Sequence, residues 1–430
     1  MAMSDYTGDE EPQDSENTIE YTAQAMSQVI DGEVKLTINE NSFTAAALFD
    51  TVEIAFAQVN ELILLGYIVT VKADSGEYTF SRLGNLCKPF YDALCDAYNK
   101  AVLRSLFIKR EPIVIAKGEC RYAETVDRTV QTYALPPVQR RMEGAVPVHV
   151  YENNVTTLPP NLLARRVPLC FVTGMEKGNF ELTLKLDTGE SYTYSKLGYE
   201  TGPFADAVEK QIRKLREKTL AALKEIDFTL TEAQSSQLAK LMPQGAAASL
   251  EQIAGIAPSF VKALEKKIAA TRAAESYRVF KDLCNPAQIR IGFTESDNAK
   301  STPNPELPEP DDDEEDAGPY VMWMIAPSPD GRYAAVEFAT ADSATFVYRT
   351  GGNFPGFAQR LNRALEAIDF KREVIRLTDS ELRKPENADY YMAAKRTSAL
   401  QFVRANYVGR VIHSNTETWE RKLTELWTSQ

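Results

Sequence analysis

The chain has 430 residues, of which 44% are hydrophobic and 10% aromatic, so it is long enough for two to four folded domains. Its formal net charge of −13 disfavours nucleic acid and anionic membranes as partners, because both carry negative charge. Five cysteines without a CxxC pair favour buried thiols in a reducing compartment. No apolar run reaches the roughly 18 residues of a membrane span. The acidic N-terminus is unlike a secretory signal, and we expect a cytoplasmic protein.

The first segment in chain order is acidic. Residues 1–19 contain no Lys or Arg and little apolar material, so burial cannot offset the entropy lost on ordering. We predict a disordered acidic N-terminus over residues 1–30.

Two later segments repeat each other. Residues 66–84 read GYIVTVKADSGEYTFSRLG, and residues 179–198 read NFELTLKLDTGESYTYSKLG. In each, apolar and polar residues alternate on both sides of a turn sequence, which predicts a β-hairpin. A proline then opens an amphipathic helix, at Pro89 in the first copy and Pro203 in the second. The repeat predicts two similar units, residues 31–110 and 145–224, joined by a connector over 111–144 that contains one extra strand or hairpin.

The remainder of the chain divides into three predicted segments. Residues 225–284 read as an inserted helical segment, with Thr229 or Thr231 and then Ser249 as helix caps. Residues 285–370 predict a diverged third unit with a disordered acidic insertion over 296–318. Residues 371–430 predict a small α+β tail, in which 400–413 favour a strand and a helix follows.

The repeated unit resembles the pleckstrin-homology (PH)-like superfold, including its bacterial PH and GRAM-type members. The resemblance depends on the mid-domain strands Val52–Phe56 and Val167-Pro168-Leu169, followed by the two hairpins and their helices. It implies an α+β fold of tandem strand meanders, each with a C-terminal helix. Such folds are mostly platforms for lipids, peptides or proteins, which is an analogy from fold.

One departure from that family concerns lipid binding. Phosphoinositide-binding members place Lys and Arg in the loop after the first strand. The corresponding loops here, residues 39–41 and 152–154, contain no basic residue. Phosphate needs cations or a helix N-terminus, so these loops disfavour phosphoinositides.

Two basic groups are the candidate binding residues. Arg165 and Arg166 are expected near a strand edge, where they could meet an acidic partner or the acidic run of residues 311–316. Residues 253–264 read IAGIAPSFVKAL, which resembles a helix-hairpin-helix DNA-binding element. Lys262 lies within this stretch after its turn, and Lys266 and Lys267 follow it. Ala257-Pro258 replaces the second glycine of that hairpin, and proline removes an amide that would face phosphate. An ordinary helical hairpin is the alternative.

Catalytic and metal-binding motifs are not found in the sequence. The two histidines, His149 and His413, belong to different units, and no HExxH, GxSxG, P-loop or GxGxxG is present. We therefore expect no enzyme activity, cofactor or metal. The predicted function is protein interaction or scaffolding with protein partners. The alternatives are a PH-like protein associated with lipid or a membrane surface, and a nucleic-acid-processing protein or enzyme that uses the helical segment.

Overall fold

The computed structural model describes residues 20–108, 111–124, 138–158, 165–295, 320–339, 344–370, 372–413 and 415–428. One compact unit ends at Ala101 and a second begins at Val102. Helices and three antiparallel sheets make up the described residues, which confirms the predicted α+β class. The disorder predicted for residues 1–19 and 296–318 lies outside the described residues.

The first sheet has seven strands in the order β4-β3-β2-β1-β7-β6-β5. Its elements are β1 Tyr21–Met26, β2 Asp31–Ile38, β3 Ser42–Ala46, β4 Thr51–Ala55, β5 Val59–Leu65, β6 Ile68–Ala73 and β7 Gly76–Ser81, followed by helix α1 Cys87–Ser105. Every neighbouring pair is antiparallel, and β1 pairs with β7 to join the two ends of the meander.

The core of this sheet follows from strand alternation. Val69 and Val71 on β6 and Phe80 on β7 are fully buried, and Phe90 of α1 packs its ring against Tyr21 at a centroid distance of 5.0 Å. The strand that contains Tyr21 falls within residues 1–30, so the prediction of disorder was wrong for Tyr21–Met26. Its apolar positions are buried against the helix, which stabilises an otherwise polar N-terminal segment.

The second sheet repeats the first, in the order β11-β10-β9-β8-β14-β13-β12. Its elements are β8 Val114–Glu124, β9 Val138–Val150, β10 Asn154–Thr157, β11 Arg165–Pro168, β12 Val172–Gly178, β13 Glu181–Leu186 and β14 Ser191–Ser195, followed by α2 Thr201–Ile226. The extra strand or hairpin predicted in the connector 111–144 is present as β8 and the start of β9. Treating the connector as separate from the second unit was wrong, because β8 pairs with β14 within the second sheet.

Equivalent backbone hydrogen bonds relate the two sheets. The amide of Asp74 donates to Gln58 at 3.0 Å, and the amide of Asp187 donates to Phe171 at 3.0 Å, 113 residues further along the chain. Phe204 of α2 is fully buried beside Tyr194, as Phe90 is in the first unit. The predicted repeat of hairpin, proline and helix is confirmed at the level of these elements.

Helices dominate the segment after the second sheet, as predicted for residues 225–284. The elements are the end of α2, then α3 Glu232–Leu241, α4 Leu250–Ile256, α5 Pro258–Ala269 and α6 Ala274–Leu283. Thr231 and Ser249 both form capping boxes, so the hydroxyl of each accepts a backbone N–H of its helix. The helix that begins at Pro258 ends at Ala269, and α6 follows it as a separate helix.

The third sheet has six strands in the order β15-β16-β17-β18-β19-β20. They are β15 Ala248–Ser249, β16 Arg290–Glu295, β17 Tyr320–Pro327, β18 Tyr333–Phe338, β19 Ala344–Arg349 and β20 Tyr407–Ile412. The remaining helices are α7 Phe354–Ala367, α8 Glu373–Arg376, α9 Asp379–Leu382, α10 Ala388–Arg396, α11 Ser398–Asn406 and α12 Thr416–Thr428.

Helices cover both faces of this sheet. Met324 of β17 packs in a core with α3 to α6 and α12, whereas the adjacent Trp323 and Ile325 pack with α7, α10 and α11. A meander closed by one helix, as predicted for residues 285–370, does not describe this arrangement. The helical segment predicted over residues 225–284 covers one face of this sheet, so it is not a separate insertion.

The predicted tail, residues 371–430, also belongs to the third sheet. β20 pairs with β19, and α11 packs against α7. The strand predicted over 400–413 was partly wrong, because the chain is helical through Asn406 and extended only from Tyr407 to Ile412. The final helix, with buried Trp419, Leu423 and Trp427, is confirmed.

His413, between β20 and α12, forms a hydrogen bond with Glu337 of β18. Glu337 is 1% exposed and accepts from Thr345 Oγ1 at 2.5 Å, with His413 Nε2 at 3.2 Å. The indole N–H of Trp419 donates to Thr345 at 3.0 Å. The hydrogen bond to Glu337 raises the pKa of His413, and burial opposes that rise only in part.

A raised folded-state pKa makes this histidine a pH-dependent stabiliser. Its contribution is complete below the unfolded pKa of about 6.5 and is lost as the pH rises through the folded value. We expect His413→Gln to cost about 1.5 kcal/mol at pH 5.5, the low end for a hydrogen bond to a charged group, and less at pH 9. Urea unfolding of both proteins at the two pH values measures the difference. An equal cost at both would contradict the protonated pair.

Candidate functional site

Arg166 lies in a buried ion-pair cluster between the second sheet and α7. Its Nη1 is 2.8 Å from Glu366 Oε2, and the two side chains are 3% and 9% exposed. Arg363 Nε lies 3.2 Å from Glu190 Oε2, and Arg363 Nη2 donates to the main-chain oxygen of Arg166 at 2.6 Å. The predicted role of Arg166 in meeting an external acidic partner was wrong, because its guanidinium is buried on Glu366.

The cluster shows opposed effects of burial and charge. Burial raises the pKa of Glu366, and the nearby charges of Arg166 and Arg363 oppose the rise without cancelling it. At Glu190 burial is again the largest single effect and acts in the same direction, but the charge and hydrogen bond of Arg363, together with the hydrogen bond of Thr188 and the charge of Arg165, outweigh it, and the pKa lies below its usual range. Burial also raises the pKa of the adjacent Cys170 thiol well above its ordinary value. That thiol is therefore a poor nucleophile here.

Arg165 occupies the opposite side of strand β11. Its Nη2 donates to the hydroxyl of Tyr122 at 2.6 Å, and its guanidinium lies 4.5 Å from the centre of that ring. Adjacent residues of a strand face opposite ways, so the two arginines have different surroundings. The structure does not bring them together as a basic patch.

Lys262, Lys266 and Lys267 are exposed on α5. The predicted helical hairpin is present as α4 and α5, and its residues Ile253, Phe260 and Leu264 are fully buried in the third unit's core. The amide of Ala257 donates to the carbonyl of Ile253 at 2.9 Å, so it does not face a ligand. The ordinary packing role of this hairpin accounts for its buried residues.

An exposed aromatic side chain occurs at the same turn of both repeated units. Tyr67, between β5 and β6, is 73% exposed, and Phe180, between β12 and β13, is 71% exposed. Phe180 has φ 58°, in the left-handed region that side chains with a Cβ rarely adopt. Tyr67 shares the sequence alternation of Val69 and Val71, but the two valines are fully buried whereas Tyr67 is exposed. The adjacent Gly66 and Asn179, both typical of turns, were the available signal.

The segment between the last strand and the helix is also repeated. Gly84 and Gly198 have φ 58° and 60°, and a Cβ at either would meet no other atom within 4 Å. Backbone conformation, and not close packing, therefore explains glycine at these positions. Arg82 and Lys196, two residues earlier, share positive φ values of 60° and 56°.

A shallow pocket of about 570 Å³ lies beside Phe180 in the second unit. Charged pairs form part of its rim: Arg121 Nη2 lies 3.2 Å from Glu181, and Lys196 Nζ lies 2.8 Å from Glu119. The surface thus combines an exposed aromatic ring with a rim of paired charges. This composition is typical of protein-binding surfaces, which have an apolar centre and a polar rim.

The first unit exposes a second apolar turn. Leu48 and Phe49, between β3 and β4, are 86% and 90% exposed, and the turn is closed by the Ala47 amide donating to Asp50 at 2.7 Å. Turns of this kind usually carry Gly, Asn, Asp or Pro for conformational reasons. Two large apolar side chains there contribute nothing to the unit's core.

The described residues contain no group of three or more His, Cys, Asp or Glu side chains that could hold a metal ion. None of the helices described is both long and apolar enough to cross a membrane. All five cysteines are free thiols, with three of them buried. The chain matches no protein-family model and no curated protein sequence.

Proposed function

We propose that this chain is a non-enzymatic protein-interaction or scaffold protein, with two PH-like modules that present Tyr67 and Phe180 to protein partners. The strand order of the first two sheets supports the PH-like assignment, because in each unit the first and last strands pair and a helix follows. The third sheet, with helices on both faces, is a different module in this proposal.

The main support for this proposal is the exposed aromatic side chain, Tyr67 or Phe180, at the equivalent turn of each repeated unit. Aromatic side chains are common among the residues that dominate binding energy, because they bury a large area with few rotatable bonds. Neither ring packs in the core of its own unit, although Phe180 holds an unfavourable backbone conformation. Retaining such a residue at a turn is easier to explain by an external contact than by folding.

A protein surface fits the pocket beside Phe180 better than an anionic membrane does. The rim cations Arg121 and Lys196 are each paired with a carboxylate, so little positive charge remains for lipid phosphate. The net charge of −13 adds repulsion at long range. We propose that the partner has an apolar pocket that binds one aromatic ring. Two equivalent sites permit bivalent binding, which raises the apparent affinity without new contacts.

The test is co-purification of partners from native cells with the variants Tyr67→Ser, Phe180→Ser and the double variant. We expect each single change to weaken binding of a specific partner at least about tenfold, and the double change to weaken it further. Phe228→Ser is the matched control, because Phe228 is 90% exposed but lies outside the repeated turns. If the double variant retains the same partners at the same affinity, the proposal fails.

A further inference from the structure

One end of the first unit exposes four large apolar side chains from two turns. Met26 ends β1 and Val29 follows it in the turn to β2, whereas Leu48 and Phe49 lie in the turn between β3 and β4. Both β1 and β3 pair antiparallel with β2, so they run in the same direction and their turns lie at the same end of the sheet. Met26 and Val29 are more than half exposed, and Leu48 and Phe49 are almost wholly exposed.

The turn between β6 and β7 lies at this end as well. β7 pairs antiparallel with both β1 and β6, so β6 runs in the same direction as β1 and also ends here. The turn that contains Tyr67 precedes β6 and therefore lies at the opposite end of the unit. We call the three turns with their flanking residues, 26–33, 46–51 and 72–77, the apical surface.

The apical surface is acidic around its apolar side chains. It contains five carboxylates, all exposed, and one cation, Lys72. Lys72 Nζ lies 2.8 Å from Glu61 Oε2 on β5, so its charge is already paired within the unit. The five carboxylates are those of Asp31, Glu33, Asp50, Asp74 and Glu77. An anionic membrane or a second copy of this surface would add negative charge, so both are disfavoured, whereas a cationic partner is attracted.

The turn between β1 and β2 is ordered by its own hydrogen bonds. The hydroxyl of Ser27 accepts the amides of Val29 at 3.2 Å and Ile30 at 3.0 Å, and the amide of Ser27 donates to the carbonyl of Ile30 at 3.0 Å. Ile30 is buried, which anchors the turn on the core beneath it. A turn that is ordered before binding loses less conformational entropy when a partner binds. The backbone therefore presents Val29 at a defined position outside the core.

We propose that the apical surface docks a basic protein segment, whose apolar residues contact the four exposed apolar side chains while its Lys and Arg residues face the surrounding carboxylates. An apolar centre with a polar rim is the usual arrangement of a protein interface. Complementary charge increases the rate of encounter and selects the partner, and the apolar contacts supply most of the affinity. This docking does not depend on Tyr67 or Phe180.

Isothermal titration calorimetry of the full chain tests this with a designed amphipathic peptide of Leu and Lys, about 18 residues long so that it can form a helix. Two peptides of the same length are controls: one of Ser and Lys lacks the apolar face, and one of Leu and Glu has the opposite charge. We expect saturable binding of the Leu/Lys peptide alone. Failure of that peptide to bind, or equal binding of either control peptide, would overturn the proposal.

The same chain is also tested by co-sedimentation with neutral phosphatidylcholine vesicles. We expect no more sedimentation with the vesicles than without them. Sedimentation with vesicles that Phe49→Ser abolishes would assign the apical surface to a membrane instead of a protein, and would also overturn the proposal.

Variants assign the peptide binding to the apical surface. Leu48→Ser/Phe49→Ser should weaken binding of the Leu/Lys peptide at least about tenfold. Asp31→Asn/Asp50→Asn should weaken it about threefold, because exposed charge pairs contribute little. Phe228→Ser is the control, because Phe228 is 90% exposed, as Phe49 is, but lies outside the first unit. It should bind as the wild type does. Unchanged affinity in either double variant would refute the proposed site.

Discussion

Phe90→Ala and Phe204→Ala are expected to lower two different thermal transitions. Each ring is fully buried in its own unit, Phe90 against Tyr21 and Phe80, and Phe204 against Tyr194. Truncating a buried phenylalanine costs about 3–5 kcal/mol. For the smaller unit, which ends at Ala101, this corresponds to a fall of at least about 12 °C in its transition.

Phe204→Ala should destabilise the second and third modules together. Helix α2 packs Phe204 and Val208 in the second sheet's core, and Leu223 near its C-terminal end packs in the third unit's core. Because one continuous helix enters both cores, we expect a single transition for the unit that begins at Val102. Calorimetry of both variants measures this. A fall in every transition after Phe90→Ala, or separate transitions for the second and third modules, would contradict this division of the chain.

The second large effect is expected at Arg166. Arg166→Met removes the partner of a buried carboxylate, and breaking such a pair costs about 3–5 kcal/mol. The double variant Arg166→Met/Glu366→Met removes both charges, so it should be more stable than the single variant. Urea unfolding compares the three proteins. Arg213→Met is the control, because Arg213 is exposed on α2. A cost below about 1 kcal/mol for Arg166→Met would show that this ion pair does not hold the two modules together.

The repeat allowed much of the first two units to be predicted from sequence. Hairpins such as β6–β7 and β13–β14 depend on neighbouring residues, so alternation and turn residues locate them. The strand β1 was missed, and β8 was predicted as an extra strand or hairpin of the connector but not as part of the second unit. Each pairs with a strand more than 50 residues away, which short-range patterns do not reveal.

The third sheet had a sequence signal that the repeat obscured. Residues 320–327 read YVMWMIAP and 333–338 read YAAVEF, and both strands are almost continuously apolar. Runs of that kind are typical of strands buried on both faces, whereas the first two units alternate. Residues 285–370 were instead predicted as a diverged third copy of the repeated unit.

The buried ion pairs could not be predicted from local patterns. Arg165-Arg166 looks like a surface pair, but Arg165 packs on the buried ring of Tyr122 and Arg166 is buried against Glu366, 200 residues further along the chain. The sequence repeat also aligned Tyr67 with Phe180 correctly. It could not predict that both are exposed, because that depends on whether each residue lies in the turn or in the strand.

Site-specific photo-crosslinking tests most directly whether the repeated turns bind protein. The photoreactive residue benzoylphenylalanine replaces Tyr67, Phe180 or, as the control, the exposed Phe228. We expect positions 67 and 180 to crosslink to a protein partner in the native cell and position 228 not to crosslink. Crosslinking at 67 and 180 no greater than at 228 would contradict the proposed binding surfaces.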